Sequence, residues 1–446
     1  MFDFLKYIKS HWYFLKKPKL AMPYWVDIDL IDTHLHEKLN ICENYQDQKS
    51  KKIDAAYQLW LKGYISNNSS QVLNKQDSVM SRKDIYIFIK RFYHWRWLIY
   101  TLFFRVCEGK NLLLEVYYFS KGLKSKKIDV YKHVFSNEGY EKFDSSIVKL
   151  NPKITVVIPT LNRYKYLEDV IKDLEKQTYT NFEVIIVDQS DNFRSEFYEN
   201  RKLDLTVIHQ KEKALWTARN TAIFKSTGEF ILLYDDDSLV KEDWIFQHLK
   251  TLDYFNSDIS SGVSLSVVGD SIPKHYSYFR WSDQIDTGNV LIRRDVFKKT
   301  GMFDLQFEKQ RMGDGEFGMR CYLEGFKNIS NPFASRIHLK VSEGGLRQMG
   351  LWDAWSPKSI FSPRPIPSVL YFIRKYWGNG AAMREIVISV LPSIVPYRYK
   401  SNKAMLIIGS IIGLFSLPII VIAIIRSWGI ASERLKKGAI IHPFID

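Results

Sequence analysis

Residues 151–345 predict an α/β fold, helices covering a parallel β-sheet, and three observations carry that prediction. Strand-length apolar runs recur at Ile154–Pro159, Glu183–Val187, Leu205–His209 and Phe230–Tyr234. Helically spaced segments lie between them, so strand and helix alternate along the chain. Small polar or acidic residues stand at the strand ends: Thr160, Asp188 and Asp235-Asp236-Asp237.

The first run, ITVVIP, is continuously apolar, as a strand covered on both faces requires. Tyr164–Gln177 then puts Leu167, Val170, Ile171 and Leu174 on one helical stripe. EVIIV, a polar loop, LTVIH, a helix over Leu215–Lys225 and FILLY follow in turn. In such sheets ligands bind beyond the carboxyl ends of the strands, so Thr160, Asn162, Asp188 and Asp235–Asp237 converge on one crevice. The turn after the first strand, Pro159-Thr160-Leu161-Asn162-Arg163, has neither GxGxxG nor GxxxxGK[ST], which excludes an NAD-type fingerprint and a P-loop. Clustered carboxylates repel one another unless a cation joins them, and oxygen ligands suit Mg²⁺ or Mn²⁺ bridging to substrate phosphates. Taken alone, the DDD run has a solvated acidic turn as its alternative.

Around this segment the chain changes texture. Its 446 residues suggest two or three domains. The net charge of +15 divides into +9 for residues 1–150, −3 for 151–345 and +9 for 346–446. A nucleic-acid partner is therefore not expected, because the alternating segment is not basic; the cationic flanks read instead as docking surfaces for anionic membrane lipid. Cys42, Cys107 and Cys321 form no CxxC or His-paired pattern, so neither a disulfide framework nor a zinc site is suggested, and a reducing compartment fits. Lysines at 6, 9, 16, 17 and 19 break the first 20 residues before a signal-peptide core can form. Residues 1–150 read as an N-terminal accessory region of unassigned role. Within it, Phe88–Val106 reads as packed core or as an aromatic interfacial helix, its four basic residues excluding a span. Residues 346–404, punctuated by Pro357, Pro363, Pro365, Pro367, Pro392 and Pro396, read as a linker with interfacial helices. Met405–Ile425 carries no charge over a length that can cross a bilayer. Because basic residues flank both ends, and Gly409, Gly413, Ser416 and Pro418 interrupt it, a transmembrane and a re-entrant helix both stand. Residues 426–446 form a basic tail.

Six segments together, ITVVIPTLNR, EVIIVDQSDN, WTARNTAI, GEFILLYDDDS, TGNVLIRRDVFKKTGMFD and GDGEFGMR, resemble the family 2 glycosyltransferases. The resemblance implies a GT-A (Rossmann-like) nucleotide-sugar-binding domain over 151–345. It implies inverting transfer of a sugar from a UDP-, GDP- or dTDP-linked donor to an acceptor hydroxyl, with Mn²⁺ or Mg²⁺ as cofactor. Pro159, Thr160, Arg163 and Asp188 then hold the nucleoside. Asp235 and Asp237 are the DxD pair at the metal, Asp236 shares in donor binding, and Arg219 points toward the donor or else pairs with a carboxylate at a helix surface. His338 is a third metal ligand or a structural histidine. Asp314 stands at the position of the catalytic base and Glu316 at that of a second acid, although Gly313 replaces the family's usual Glu and leaves the assignment between them open. Gly288 and Asn289 shape the sugar and acceptor pocket, and Trp281 is a sugar-stacking platform or a core residue. A Gln-x-x-Arg-Trp motif is absent, so single addition to a lipid-linked or glycan acceptor is expected over processive synthesis. That setting suggests bacterial surface polysaccharide or lipid-linked oligosaccharide assembly at the cytoplasmic face of the membrane. A non-catalytic, membrane-anchored sugar-nucleotide or glycan-binding scaffold is the competing reading.

Overall fold

The computed structural model describes residues 2–20, 22–73, 79–266, 272–341, 345, 355, 359, 361–390, 393, 395 and 403–445. Pro357, Pro392 and Pro396 lie outside the described residues.

Four helices open the chain: α1 (Gln48–Leu61), α2 (Arg82–Phe92), α3 (Arg96–Cys107) and α4 (Leu112–Leu123), with a short α5 (Ser146–Leu150) leading to the sheet. The aromatic wealth of this region is mostly core. Phe2, Phe4, Trp12, Phe14, Tyr24, Tyr57, Trp60 and Phe88 are buried together, largely in edge-on and tilted ring pairs. The run Phe88–Val106 is two helices, turning at Tyr93–Trp95, so the single interfacial helix is corrected to a helix pair.

The alternating segment forms β1 (Ile154–Thr160), α6 (Tyr164–Glu175), β2 (Phe182–Asp188), β3 (Asp204–His209), α7 (Leu215–Lys225) and β4 (Phe230–Tyr234). These bounds lie within two residues of the sequence expectation. β5 (Ser238–Val240), α8 (Trp244–Tyr254), β6 (Ile259–Ser266), β7 (Arg280–Trp281), β8 (Asn289–Arg293), α9 (Arg294–Thr300), α10 (Gly313–Glu324) and β9 (Asn328–His338) complete it. The strand order is β3-β2-β1-β4-β8-β6-β9-β5, with β7 on β9. β3, β2, β1 and β4 are parallel, but β8 runs antiparallel to both β4 and β6. The all-parallel expectation is thus corrected to a mixed sheet.

Strand alternation divides the core into two layers. Ile154, Val156, Ile158, Val184, Ile186, Leu232 and Leu291 meet the stripe of α6 and the buried face of α8. Val157, Ile185, Val187, Ile231, Leu233, Val290 and Ile292 face the other way, into one cluster with α7, α9, α10 and the N-terminal aromatics. Accessory region and sheet therefore share a core. On the α8 side of the sheet, Asn289 joins three elements: it accepts from Trp244 Nε1 at 2.9 Å and donates to the carbonyls of Val263 and Ala334. His248 lies against it, Nε2 at 3.1 Å, and its Nδ1 meets Ser260 Oγ at 2.9 Å.

The expected linker contains α11 (Pro367–Ser389), whose first half is buried at Val369–Ile373, with the Tyr371 ring tilted against Phe307. After it, α12 (Lys403–Phe415) and α13 (Leu417–Lys437) meet at Ser416 with a bend of 72°. No single helix among the described residues is long and apolar enough to cross a membrane; the bent pair meets the length and composition test together. Of the residues expected to interrupt Met405–Ile425, Ser416 and Pro418 stand at the break, Pro418 lacking the N–H to extend the first helix. The basic tail is anchored: Arg374 lies 4.1 Å over the Trp428 ring, and the His442 carbonyl accepts from Met302 N.

Burial pushes the His248 pKa down to about 4, below its ordinary value near 6.5, so folding requires the neutral ring. Because the folded value is depressed, its stabilisation is complete above about pH 6.5 and is lost as pH falls toward 4. Urea denaturation at pH 7 and 5 should show wild type losing about 2 kcal/mol more than His248→Gln over that interval. Asn289→Ala, which strands buried partners on three elements, should cost about 2–4 kcal/mol at either pH.

Candidate functional site

The run Asp235-Asp236-Asp237 follows β4, and three arginines from three different elements converge on it. Arg163, in the turn after β1, donates through Nη1 to Asp236 Oδ1 at 2.9 Å and lies 3.1 Å from Asp237 Oδ2. Arg219 on α7 reaches Asp235 Oδ1 at 2.9 Å, and Arg336 on β9 reaches Asp235 Oδ2 at 2.8 Å. Arg336 also holds Asp286 at 2.9 and 3.1 Å and Ser264 Oγ at 2.8 Å. Four carboxylates against three guanidiniums leave a small negative excess. Asp236 and Asp237 are nearly excluded from solvent. Burial, reinforced by Asp237, raises the Asp236 pKa to about 6 despite Arg163 and the Thr160 hydroxyl. Asp237 goes the other way: although burial opposes it, the His338 hydrogen bond and Arg163 hold it below the usual carboxylate range.

His338 Nε2 stands 3.3 Å from Asp237 Oδ1, and one ligand atom each from Asp235, Asp237 and His338 lie within 4.8 Å of one another. Two carboxylates and an imidazole form a donor set that fits a divalent cation. The residual negative charge fits a cation as well.

A cavity of about 380 Å³ opens in front of this network, and Trp216, Arg219, Asp235, Asp286, Asp314 and His338 are among its walls. Asp314 arrives on the first turn of α10, where helix N-terminal amides favour an anion; its Oδ1 accepts from Gly315 N at 2.8 Å. Met312, with φ 76°, makes the turn into that helix. Gly313 explains the departure from the family pattern, since a Cβ there would collide with the Trp216 indole. Gly288 is likewise dictated by approach, its missing Cβ giving room to Asp235 and Arg336.

Several expected site residues lie elsewhere. Glu316 is fully buried on the far side of α10, bound to Arg320 at 3.0 Å, Lys375 at 2.9 Å and Tyr376 at 2.6 Å. Arg320 and Lys375 outweigh its burial and hold it below the ordinary range. It clamps α10 to α11, so its assignment as a second acid is corrected to a structural one. Trp281 has no exposed surface; it packs against Tyr24 at 4.5 Å, with the Lys327 ammonium 5.0 Å from its ring, and is a core residue rather than a sugar platform. Asn289 is a core hydrogen-bond hub and not a pocket wall. Arg219 is buried, not at a helix surface, although it does pair with a carboxylate. Pro159 and Thr160 are buried at the end of β1, Thr160 donating to Asp236 Oδ2 at 2.8 Å. Asp188 reaches its strand end, but its carboxylate already accepts from Tyr164 and Tyr198 hydroxyls at 2.7 and 2.8 Å and from Ser190 N. The sequence reading missed Arg336 and Asp286. Strand periodicity could have found Arg336, which shares the face of His338 two residues on.

Glu316→Gln should cost about 2–4 kcal/mol in chemical denaturation, by removing the counter-charge of partly buried Lys375 and Arg320. Asp314→Asn should leave the denaturation midpoint near that of wild type, and Gly313→Glu should lower it through the clash with Trp216.

Residues 155–323 match the model of the family described as Glycosyl transferase family 2. Glycosyltransferase GlyG of Streptococcus pneumoniae serotype 4 is 33% identical over 124 residues, 24% of this chain and 41% of that protein. A PGL/p-HBAD biosynthesis glycosyltransferase of Mycobacterium tuberculosis is 25% identical over 215 residues, 45% of this chain and 78% of that protein. Poly(ribitol-phosphate) beta-N-acetylglucosaminyltransferase TarS of Staphylococcus aureus is 27% identical over 129 residues, 27% of this chain and 22% of that protein. The chain thus spans well under two thirds of GlyG and TarS. The solved structure of S. aureus TarS 1-349 with UDP-GlcNAc shares 20% identity and a TM-score of 0.44, over 64% of this chain and 83% of that one.

Proposed function

From the premise that residues 155–323 form a family 2 glycosyltransferase domain, we propose that this protein transfers a sugar, with inversion, from a nucleotide-sugar donor to a hydroxyl of a membrane-associated acceptor. The observation that carries the reading is the meeting of Asp314 with Asp235, Arg219 and His338 around one cavity. Asp314 takes the proton of the acceptor hydroxyl as its oxygen bonds to the anomeric carbon and the bond to the nucleoside diphosphate breaks. Its place on a helix first turn, walled by Trp216 and Met312, aims it into the cavity. Asp235, Asp237 and His338 are the residues to hold Mn²⁺ or Mg²⁺, which as a Lewis acid supplies charge stabilisation for the departing diphosphate. Arg163, Arg219 and Arg336 keep the aspartates oriented and limit their mutual repulsion. A relative named as a poly(ribitol-phosphate) beta-N-acetylglucosaminyltransferase supports a bacterial polymer as the acceptor class, and the active site belongs at the cytoplasmic face because nucleotide-sugar donors are made in the cytoplasm. The exposed apolar residues of α12 and the start of α13, from Ile407 to Ile425, support attachment to that membrane.

The test is release of nucleoside diphosphate from UDP-, GDP- and dTDP-sugars with Mn²⁺ or Mg²⁺, with and without membrane extracts as acceptor source. One donor should be turned over by wild type, and Asp314→Asn should slow it about 10²–10⁴-fold. His338→Ala should raise the metal concentration for half-maximal activity at least about tenfold. A wild type inactive with every donor and metal would favour the non-catalytic scaffold.

A further inference from the structure

The pair α3 and α4 is built inside out. Its buried side holds an ion pair: Arg105 Nε and Nη2 donate to the two oxygens of Glu115 at 2.7 and 2.8 Å, and Tyr86 donates to the same carboxylate at 2.7 Å. Its outer side is apolar. Trp95, Ile99 and Phe103 line α3 at one-turn intervals, each 44–52% exposed, and Leu112, Leu113, Leu114, Val116 and Tyr117 follow on α4, with Leu113 81% exposed. At roughly 150–250 Å² per large side chain with about half of it exposed, the eight residues present on the order of 700 Å², above the ~300–600 Å² of the largest patch on an ordinary monomer.

We propose that this helix pair is a second membrane-docking element, laid into the interface of an anionic bilayer. The proposal rests on the membrane attachment read above from α12 and α13. Two observations select the occupant. Arg96, Lys110, Lys124, Lys126 and Lys127 are all exposed around the patch against two exposed acids, Glu108 and Asp129, the first of which is engaged by Tyr7 and Lys6. Such a fringe complements anionic headgroups, whereas a two-fold pairing of identical patches would set it against itself. The patch also borders the C-terminal region: Phe104 of α3 shares a small buried cluster with Tyr7 and with Ile388 in the last turn of α11, a helix on which Met383 and Val387 are exposed. The role of the N-terminal region is then to give the catalytic cavity a second point of contact with the plane that holds its acceptor.

The full chain is mixed with vesicles of phosphatidylcholine, with or without phosphatidylglycerol, and followed by cosedimentation. Cys42 and Cys321 are buried and Cys107 is exposed at the end of α3, so a polarity-sensitive fluorophore on Cys107 reports on this element. Wild type should bind the anionic vesicles more tightly and the fluorophore should shift to the blue. Phe103→Glu with Leu113→Glu should weaken binding at least tenfold, while the melting temperature and nucleoside diphosphate release in vesicle-free solution stay as in wild type. Ile411→Glu with Ile412→Glu, on α12, should weaken binding separately and leave the Cys107 shift in place at saturating vesicle. The proposal is overturned if the α3–α4 variant binds like wild type, if only the α12 variant loses binding, or if wild type sediments as a dimer that the α3–α4 variant dissociates. Absence of donor turnover would sink the catalytic reading and leave the vesicle result standing.

Discussion

Three consecutive carboxylates stand at the end of β4, two of them almost out of water, and the site depends on neutralising them. Removing an ionised carboxylate from water costs several kcal/mol, more beside a like charge, so the run persists only with cations in place. No single element supplies them. Arg163 comes from the turn after β1, Arg219 from α7 and Arg336 from β9, which means that sheet order, helix placement and the long return of β9 must all be complete before the aspartates can be buried. The same pairing holds Asp235 and Asp237 in position beside His338. Electrostatic balance and site geometry are one requirement here.

A second ion cluster sets where Asp314 points. Glu316, two residues on, is locked to Arg320, Lys375 and Tyr376, and this fixes α10 against α11 on the side away from the cavity. The N-terminal segment adds to the same support, with the Tyr13 hydroxyl donating to the Gly315 carbonyl. The acid-bearing helix is therefore held by pieces of chain from before and after the alternating segment. That accounts for one aromatic core running through regions that composition alone separates.

Much of this was legible locally. β-branched runs and helical stripes located β1, α6, β2, β3, α7 and β4, because burial on both faces of a sheet leaves a continuous apolar record. The aspartate run was legible because clustered carboxylates are costly without a cation among them, and Asp314 only through the family resemblance of the GDGEFGMR segment. Trp281 and Asn289 were misplaced for a shared reason: an aromatic or an amide near a site has the same sequence signature whether it faces ligand or core, and only its neighbours decide. Tyr24 and Lys327 claim Trp281; Trp244 and two carbonyls claim Asn289.

The sequence by itself determined the strand and helix alternation, the acidic strand end and the broken character of residues 405–425, features written in spacing and residue type over short stretches, while the candidate base came through the family resemblance. Tertiary structure decided what depends on partners distant along the chain. It chose Asp314 over Glu316 for the cavity, added Arg336 and Asp286 to the network, reversed β8, and turned a charged pair inward and an apolar face outward on α3 and α4. Each is a question of which of two chemically permitted surroundings a side chain receives. Long-range packing answers it, and local periodicity carries no record of the choice.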